Sequence, residues 1–152
     1  EAELLKKHFG KNVVRLRHIG STAVEGLPAK PTVDILLEVA DNADPATIRQ
    51  LANECGYMVM AEKAVPEYRL DLCKGYTPLG FAEKVFHLHI RHSGDWDEPV
   101  FCEYLKQHPD KAKEYAALKT KLQKQFKHDR DAYTEAKGEF IRTCVKAARR
   151  QA

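Results

Sequence analysis

Short segments in which apolar and polar residues alternate recur through the first two thirds of the chain. Successive side chains of a β-strand point to opposite faces, so this alternation predicts strands that are buried on one face. The predicted strands cover residues 13–19, 32–39, 57–60, 67–73 and 84–91. The segment 32–39 is a nearly continuous apolar run that Asp34 interrupts, which is typical of a central strand. A turn-rich stretch, 75–80, joins the last two strands, which we expect to form an antiparallel hairpin.

Apolar residues at helical spacing mark the other segments. Residues 1–9 show this spacing, and Gly10 follows where a C-terminal cap would stand. A second helix is predicted over 45–55, because Asp44 suits the N-cap and Gly56 the position beyond the end. From residue 100 onward the spacing predicts one short helix and then two long ones, with apolar stripes over 115–126 and 133–147.

Strands that come first and long helices that come last predict an α+β fold. We expect a small mixed or antiparallel sheet with the C-terminal helices packed on one of its faces. At 152 residues and 43% apolar content, the chain is long enough for one real core and too short for two ordinary domains. We therefore expect a single domain over residues 1–152. The chain begins at Glu1 without a methionine, as a truncated N-terminus would.

Charge and cysteine usage narrow the cellular setting. The 25 basic and 22 acidic residues leave a net charge of +3, which does not indicate nucleic acid or an acidic membrane as partner. Four scattered cysteines without a CxxC pair predict reduced thiols. No apolar run approaches a membrane span or a signal peptide, so we expect a cytoplasmic protein. Its state of self-association does not follow from the sequence.

Alternation also divides each predicted strand into two faces. In the strand 84–91, Leu88 and Ile90 lie on one side, and His87 and His89 lie on the other. If the apolar sides share one core, the polar sides gather on the opposite face, beside the turn that follows residue 19. The polar set is Asp34, Arg69, Asp71, His87 and His89.

Asp34 is a carboxylate within an apolar strand, and such a group has to be paired, hydrated or bound to an ion. One interpretation is a buried acid that pairs with Lys30 or Arg69. The other is a ligand of Mg²⁺, which takes one or two carboxylates together with the phosphates of a substrate. The residues alone leave both interpretations open.

His87 and His89 stand two residues apart and therefore share one face of their strand. Two imidazoles and a carboxylate such as Asp34 suit Zn²⁺ or another transition metal. The alternative is a pair of half-exposed histidines on an edge strand.

The sequence Gly20-Ser21-Thr22 leads from a strand into the start of a short helix. Free backbone N–H groups and the helix dipole favour an anion there, and two hydroxyls add donors. The alternative is an ordinary capped turn, with Thr22 and Glu25 as a capping box. The order of strand, Gly-Ser turn, short helix and acid-bearing strand indicates a phosphate site more strongly than the turn alone.

This order resembles the nucleotidyltransferase superfamily. More closely, the segment from His18 to Leu27, with Lys30-Pro31 and Asp34-Ile35, resembles the GrpB family. The resemblance spans 16–148. Further matching positions are His87-Leu88-His89, Tyr104-Leu105, His108-Pro109, Glu114-Tyr115, Leu118-Lys119, Tyr133 and Ala136-Lys137.

The resemblance implies a nucleotidyltransferase-like fold, a bacterial cytosolic protein and a family without an established reaction. In some members this domain is fused to dephospho-CoA kinase, which suggests nucleotide or coenzyme A metabolism. The chain departs from the pattern at Leu36, where active nucleotidyltransferases carry a second acid, although Asp71 offers an acid from a neighbouring strand. It also has Cys102-Glu103 in place of the expected Arg-Asp, and Glu25 in place of proline.

Two functions are consistent with this picture. The first is an enzyme that transfers a nucleotidyl or phosphoryl group with Mg²⁺ or Mn²⁺, Zn²⁺ being the alternative. Its predicted residues are Asp34, Asp71 and His87 for catalysis, Gly20, Ser21, Thr22, Lys30 and Arg69 for phosphate, and Asp34, His87 and His89 for the metal. The second is a non-catalytic module that binds a nucleotide, a coenzyme A fragment or a partner protein.

A cluster of lysines on the predicted C-terminal helices raises RNA as a third partner. Interleaved acids such as Glu114 favour a solvated helix face instead. The lysines are Lys111, Lys113, Lys119, Lys121, Lys124 and Lys127.

Overall fold

The computed structural model describes residues 1–27, 32–77 and 80–151, with side chains described outside 76–83. The described chain forms two compact units, residues 1–23 with 32–95 and residues 24–27 with 96–151. The first unit contains a sheet and two helices, and the second contains three helices. All five strands of the described chain precede its three longest helices, and the predicted α+β class is confirmed. That the whole chain is one domain stays a prediction.

The first unit is built on a five-stranded mixed sheet in the order β1-β2-β5-β4-β3. Strands β2 and β5 run parallel, and the other neighbouring pairs are antiparallel. The elements are α1 (Ala2–Phe9), β1 (Val13–Ile19), β2 (Thr32–Val39), α2 (Pro45–Glu54), β3 (Met58–Lys63), β4 (Arg69–Thr77) and β5 (Gly80–His92), with single 3-10 turns at Gly10–Asn12 and Ser21–Ala23.

The predicted bounds of β1, β2, α1 and α2 are confirmed to within one residue. Asp44 caps α2, since its carboxylate accepts a hydrogen bond from the backbone N–H of Thr47 at 3.3 Å. The other three strands are longer than predicted. The hairpin of β4 and β5 forms as expected, with antiparallel pairing.

The predicted turn 75–80 is wrong in its extent. Both strands run on through it, and Thr77 pairs with Gly80, while residues 78–79 lie outside the described residues. Gly75 sits at a shift of register with φ at 108°, and a Cβ there would lie 2.5 Å from the backbone oxygen of Lys84. The glycine therefore serves a β-bulge rather than a turn.

The apolar faces of the strands form one core with α1 and α2, as the alternation predicts. The sheet contributes Ile35, Leu37, Leu70, Leu72, Leu88 and Ile90, and the helices contribute Leu5, Phe9, Ile48 and Ala52. All polar positions predicted for the other face are thereby turned away from this core. The four cysteines are buried free thiols.

The second unit consists of α3 (Asp97–Gln107), α4 (Pro109–Gln125) and α5 (Arg130–Gln151). Tyr115 of α4 stacks on Phe140 of α5 at 5.5 Å between ring centroids and meets the edge of Phe101 at 5.1 Å. Arg149 pairs with Asp97 at 2.7 Å, which joins the end of α5 to the start of α3. None of the helices in the described ranges is long and apolar enough to cross a membrane.

Candidate functional site

A row of polar side chains crosses the sheet on the face opposite the core. The strand registers align Asp34 of β2 with His87 of β5, and His87 with Cys73 of β4. The Nδ1 atom of His87 lies 3.6 Å from Oδ1 of Asp34. Asp34 and His87 therefore share a face, which the sequence argument for a site required.

His89 lies in the next row, aligned with Asp71 of β4, and joins two carboxylates. Its Nε2 is 3.1 Å from Oδ1 of Asp34, and its Nδ1 is 2.9 Å from Oδ1 of Asp71. The side chains of His89 and Asp34 are 25% and 27% exposed, so the cluster is open to a ligand while water is partly excluded. The predicted acids and histidines are therefore brought together.

The charge state of this bridge follows from its contacts. Burial lowers the pKa of His89, but the hydrogen bonds to Asp34 and Asp71 outweigh burial and raise the pKa to about 9. The hydrogen bond from His89 is also the main reason that the pKa of Asp71 is lowered; burial opposes this effect, and Arg91 and Arg69 add to it. At neutral pH His89 is thus an imidazolium that donates from both ring nitrogens.

Gly20 brings the turn after β1 against the Asp34 carboxylate. Its φ is 78°, and a Cβ built on it would lie 2.6 Å from Oδ2 of Asp34. Both the backbone conformation and the lack of space disfavour other residues at this position. The sequence pattern predicts that Gly20 and Asp34 belong to one site, and in the structure the Asp34 side chain lies next to Gly20.

Ser21 and Thr22 form a single 3-10 turn, closed by a hydrogen bond from the N–H of Ala23 to the oxygen of Gly20 at 3.1 Å. A turn of this length adds little helix dipole. The Thr22 hydroxyl lies 2.9 Å from Nε2 of His18 and donates to the backbone oxygen of Thr32 at 3.1 Å. The hydroxyl therefore serves the protein's own backbone, whereas phosphate binding by Thr22 stays a prediction.

For the two basic residues of the predicted site, Arg69 and Lys30, the structure gives less information. Arg69 pairs with Glu67 at 3.3 Å and stands on the strand that carries Asp71. Lys30 lies outside the described residues. The sequence offered these two cations as partners of Asp34; within the described residues, Asp34 pairs with His89, because parallel pairing of β2 and β5 sets their side chains next to each other.

Sequence reasoning missed two features of this face. Glu38 is buried and accepts two hydrogen bonds from the guanidinium of Arg17, each at 3.3 Å. Leu36 is fully buried, at the position where a second acid would stand. Both were visible in the alternation, since they share a face with Asp34, but burial of that face could not be read from the pattern.

The donor set suits one kind of metal better than another. Mg²⁺ and Mn²⁺ are commonly held by one or two carboxylates plus the phosphates of a ligand. Asp34 offers one such carboxylate, while the ring of His89 stands between it and Asp71. A resident Zn²⁺ site needs three or more converging protein ligands, and within the described ranges no group of three His, Cys, Asp or Glu side chains converges in this way. His89 gives both nitrogens to carboxylates, which speaks against the predicted site of Asp34, His87 and His89 on one ion.

Fold and polar face together define an α+β protein whose mixed sheet bears an acid and histidine cluster beside a Gly-Ser turn, consistent with the nucleotidyltransferase-like class. The model of the GrpB protein family matches residues 1–147. The chain therefore belongs to the GrpB family, and its predicted family membership is confirmed.

Individual relatives agree with this assignment. A UPF0157 protein of Pseudomonas aeruginosa is 34% identical over 93% of this chain and 58% of its own length. The glutamate-rich protein GrpB of Alkalihalophilus pseudofirmus is 30% identical over 93% of this chain and 82% of its own length. The crystal structure of conserved protein GrpB from Enterococcus faecalis matches with a TM-score of 0.77 and 29% identity, covering 99% of this chain and 88% of that one.

A more distant match is a dephospho-CoA kinase of Mycolicibacterium paratuberculosis, 26% identical over 95% of this chain and 41% of that protein. The chain also spans only 43% of a Bacillus subtilis UPF0157 protein with which it shares 31% identity. It thus corresponds to about half the length of several relatives.

Proposed function

We propose that this chain binds a nucleotide or a related phosphate-bearing small molecule, together with a divalent cation, on the polar face of its sheet. The observation that carries the proposal is the contact of Gly20 with the Asp34 carboxylate, next to the bridge from Asp34 through His89 to Asp71. A backbone turn and the partly exposed carboxylate of Asp34 meet at one place, and His89 links that carboxylate to Asp71. A ligand that carries both a phosphate and a divalent cation would complement the turn and the carboxylate.

Each residue has a task in this proposal. Asp34 would hold Mg²⁺ or Mn²⁺, which would offset the negative charge of the phosphates, and Asp71 would hold His89 beside it. Gly20 allows the turn to approach the Asp34 carboxylate closely, and Ser21 would begin the turn that faces the ligand. His87, 29% exposed and beside Asp34, would contact the ligand. A cytoplasmic location, expected from the unpaired cysteines, accords with a nucleotide ligand.

Nucleotidyl transfer is a second candidate, because Asp71 supplies a carboxylate on the same face although position 36 does not. Two-metal transfer sites hold their ions with several acids, and fully buried Leu36 removes one of them. This difference favours binding over transfer. Transfer of radiolabel from an α-labelled nucleoside triphosphate to any product, lost in Asp34→Asn, would instead establish the enzyme.

The binding proposal is tested by thermal unfolding with each of the four ribonucleoside triphosphates, with and without Mg²⁺ or Mn²⁺. A ligand at about 100 times its Kd stabilises the folded state by about 2.7 kcal/mol, which raises Tm by several degrees. We expect this shift for the wild type with cation present and its loss in Asp34→Asn.

Asp41→Asn is the matched control, because Asp41 is an exposed acid in the turn after β2. It should keep the full shift. Absence of a shift for every nucleotide and cation, or an equal shift in Asp34→Asn, would refute the proposal. A cation-independent shift would point to the plain binding module, with a coenzyme A fragment as the next ligand to try.

A further inference from the structure

A short hydrogen-bond chain lies behind the Gly20–Ser21 turn and reaches the strand that carries Asp34. The Nε2 atom of His18 is 2.9 Å from the Thr22 hydroxyl, which donates to the backbone oxygen of Thr32 at 3.1 Å. A hydroxyl has one proton to give. Since the Thr22 proton goes to Thr32, the hydroxyl accepts from His18, and Nε2 carries the hydrogen.

This chain connects the elements that form the candidate site. His18 is in β1, Thr22 is in the 3-10 turn, and Thr32 is the first residue of β2. Asp34 follows on β2, on the same face as Thr32, because strand residues two apart point the same way. The turn is therefore tied to β2 next to the carboxylate against which Gly20 packs.

A fixed turn matters because Gly20 has little conformational restraint of its own. Glycine at a φ of 78° is free to leave that conformation in a way that other residues are not. The backbone closure from Ala23 to Gly20 spans only the turn itself. The link from Thr22 to Thr32 joins the turn to β2 through a side chain.

We propose that His18 and Thr22 are positioning residues that hold the Gly20–Ser21 turn against Asp34, so that a phosphate on the turn and a cation on Asp34 stand side by side. The expected effect on ligand affinity rests on the proposed function. The expected effect on the conformation of the turn rests on the hydrogen bonds alone. It gives Thr22 a different task from the phosphate donor that its place in the sequence indicates.

The test compares Thr22→Val, which keeps the shape and loses the hydroxyl, with Thr22→Ser, which keeps the hydroxyl. The first measurement needs no ligand: ¹⁵N spectra of the labelled His18 ring at pH 8, together with amide hydrogen exchange over residues 21–23. We expect the Nε2–H tautomer of His18 in the wild type and in Thr22→Ser. In Thr22→Val we expect a mixed tautomer and at least about fivefold faster amide exchange, the loss of roughly one hydrogen bond.

The second measurement is the affinity for the Mg²⁺ complex of ATP, or of whichever triphosphate stabilises the wild type most. Thr22→Val should bind about tenfold more weakly, and Thr22→Ser within about threefold of the wild type. Thr120→Val is the matched control, since its hydroxyl donates to the oxygen of Ala116 on exposed α4. It should change neither measurement.

The two proposals fail in different ways. If the wild type binds no triphosphate, the proposed function falls, and the tautomer and exchange data still decide whether His18 and Thr22 hold the turn. Unchanged exchange and an unchanged His18 tautomer in Thr22→Val would overturn the positioning role. Equal loss of affinity in Thr22→Val and Thr22→Ser would overturn it as well, because a hydroxyl at that position would then not rescue binding.

Discussion

Asp34 and Glu38 are two acids on one face of β2, and they differ in burial and in the group with which each is paired. Glu38 has a side chain only 2% exposed, and its oxygens are held by the guanidinium of Arg17 and by the N–H of Gly94 at 3.4 Å. Asp34 is 27% exposed, and its partner is an imidazole. Glu38 is thus paired with a guanidinium, whereas Asp34 is paired with an imidazole, which can lose its charge.

The difference separates a structural ion pair from a candidate site. A buried carboxylate with a guanidinium partner cannot give up that partner without leaving a charge unpaired. A partly exposed carboxylate with a histidine partner exchanges its contacts at much lower cost, because water and a cation can replace them. An acid in an apolar strand is therefore not in itself a sign of function; the replaceability of its partner is.

The largest expected effect comes from Glu38→Gln. Removal of one member of a buried ion pair leaves the other uncompensated, which usually costs 3 to 5 kcal/mol, and we expect about 3 kcal/mol because Arg17 is partly exposed. Equilibrium unfolding in urea at pH 7 measures the change. A cost below about 1 kcal/mol would remove the contrast between the two acids.

Gly20→Ala should cost about 2 kcal/mol, from a positive φ and from a Cβ 2.6 Å from the Asp34 carboxylate. Gly26 provides the control, because its φ is 81° and a Cβ there meets nothing within 4 Å. The alanine at 26 should cost about 1 kcal/mol, from strain alone. If Asp34→Ala in the Gly20→Ala background restores part of the loss, the clash is with this carboxylate, whereas equal costs at 20 and 26 would show that the contact is unimportant.

The pH dependence of stability sharpens the comparison at the histidine. The pKa of His89 is raised from its ordinary value of 6.5 to about 9, so its folded-state pKa lies above its unfolded-state value. Its contribution is then fully present below about pH 6.5 and is lost as the pH rises through about 9.

We expect the stability advantage of the wild type over His89→Gln to fall by about 1 to 2 kcal/mol between pH 7 and pH 10. That figure is reduced from the full shift because the side chain is a quarter exposed. Urea unfolding of both proteins at several pH values isolates His89 from the other groups that titrate there. A constant difference would mean that His89 does not carry a bridging charge.

Much of this was predictable from the sequence. The alternation in β2, β4 and β5 predicts that Asp34, Asp71, His87 and His89 lie on one face. A strand has a period of two residues, and the apolar sides of the three strands share one core. The caps of α2 and the length of β1 followed from local residue preferences. These features depend only on neighbours in the sequence.

Features that depend on neighbouring strands were not predictable. The partner of Asp34 is His89 because β2 and β5 are parallel and adjacent, and the sequence gives no register for strands that are distant along the chain. Gly75 was interpreted as a turn residue, since a glycine in a bulge and a glycine in a turn have the same sequence signature. Burial of Leu36 and Glu38 depends on what covers the polar face, which alternation cannot report.

The smallest expected effect is that of Asp34→Asn on stability. It completes the comparison with Glu38, because it tests whether Asp34 stabilises the fold. Asparagine keeps an oxygen that can accept from His89, and the side chain is partly in water, so we expect a change below about 1 kcal/mol in urea unfolding at pH 7. If Asp34→Asn proved as costly as Glu38→Gln, Asp34 would be a structural acid like Glu38, and the site would lose its central ligand. A small cost in stability combined with lost nucleotide binding is the signature of a residue placed for a ligand rather than for the fold.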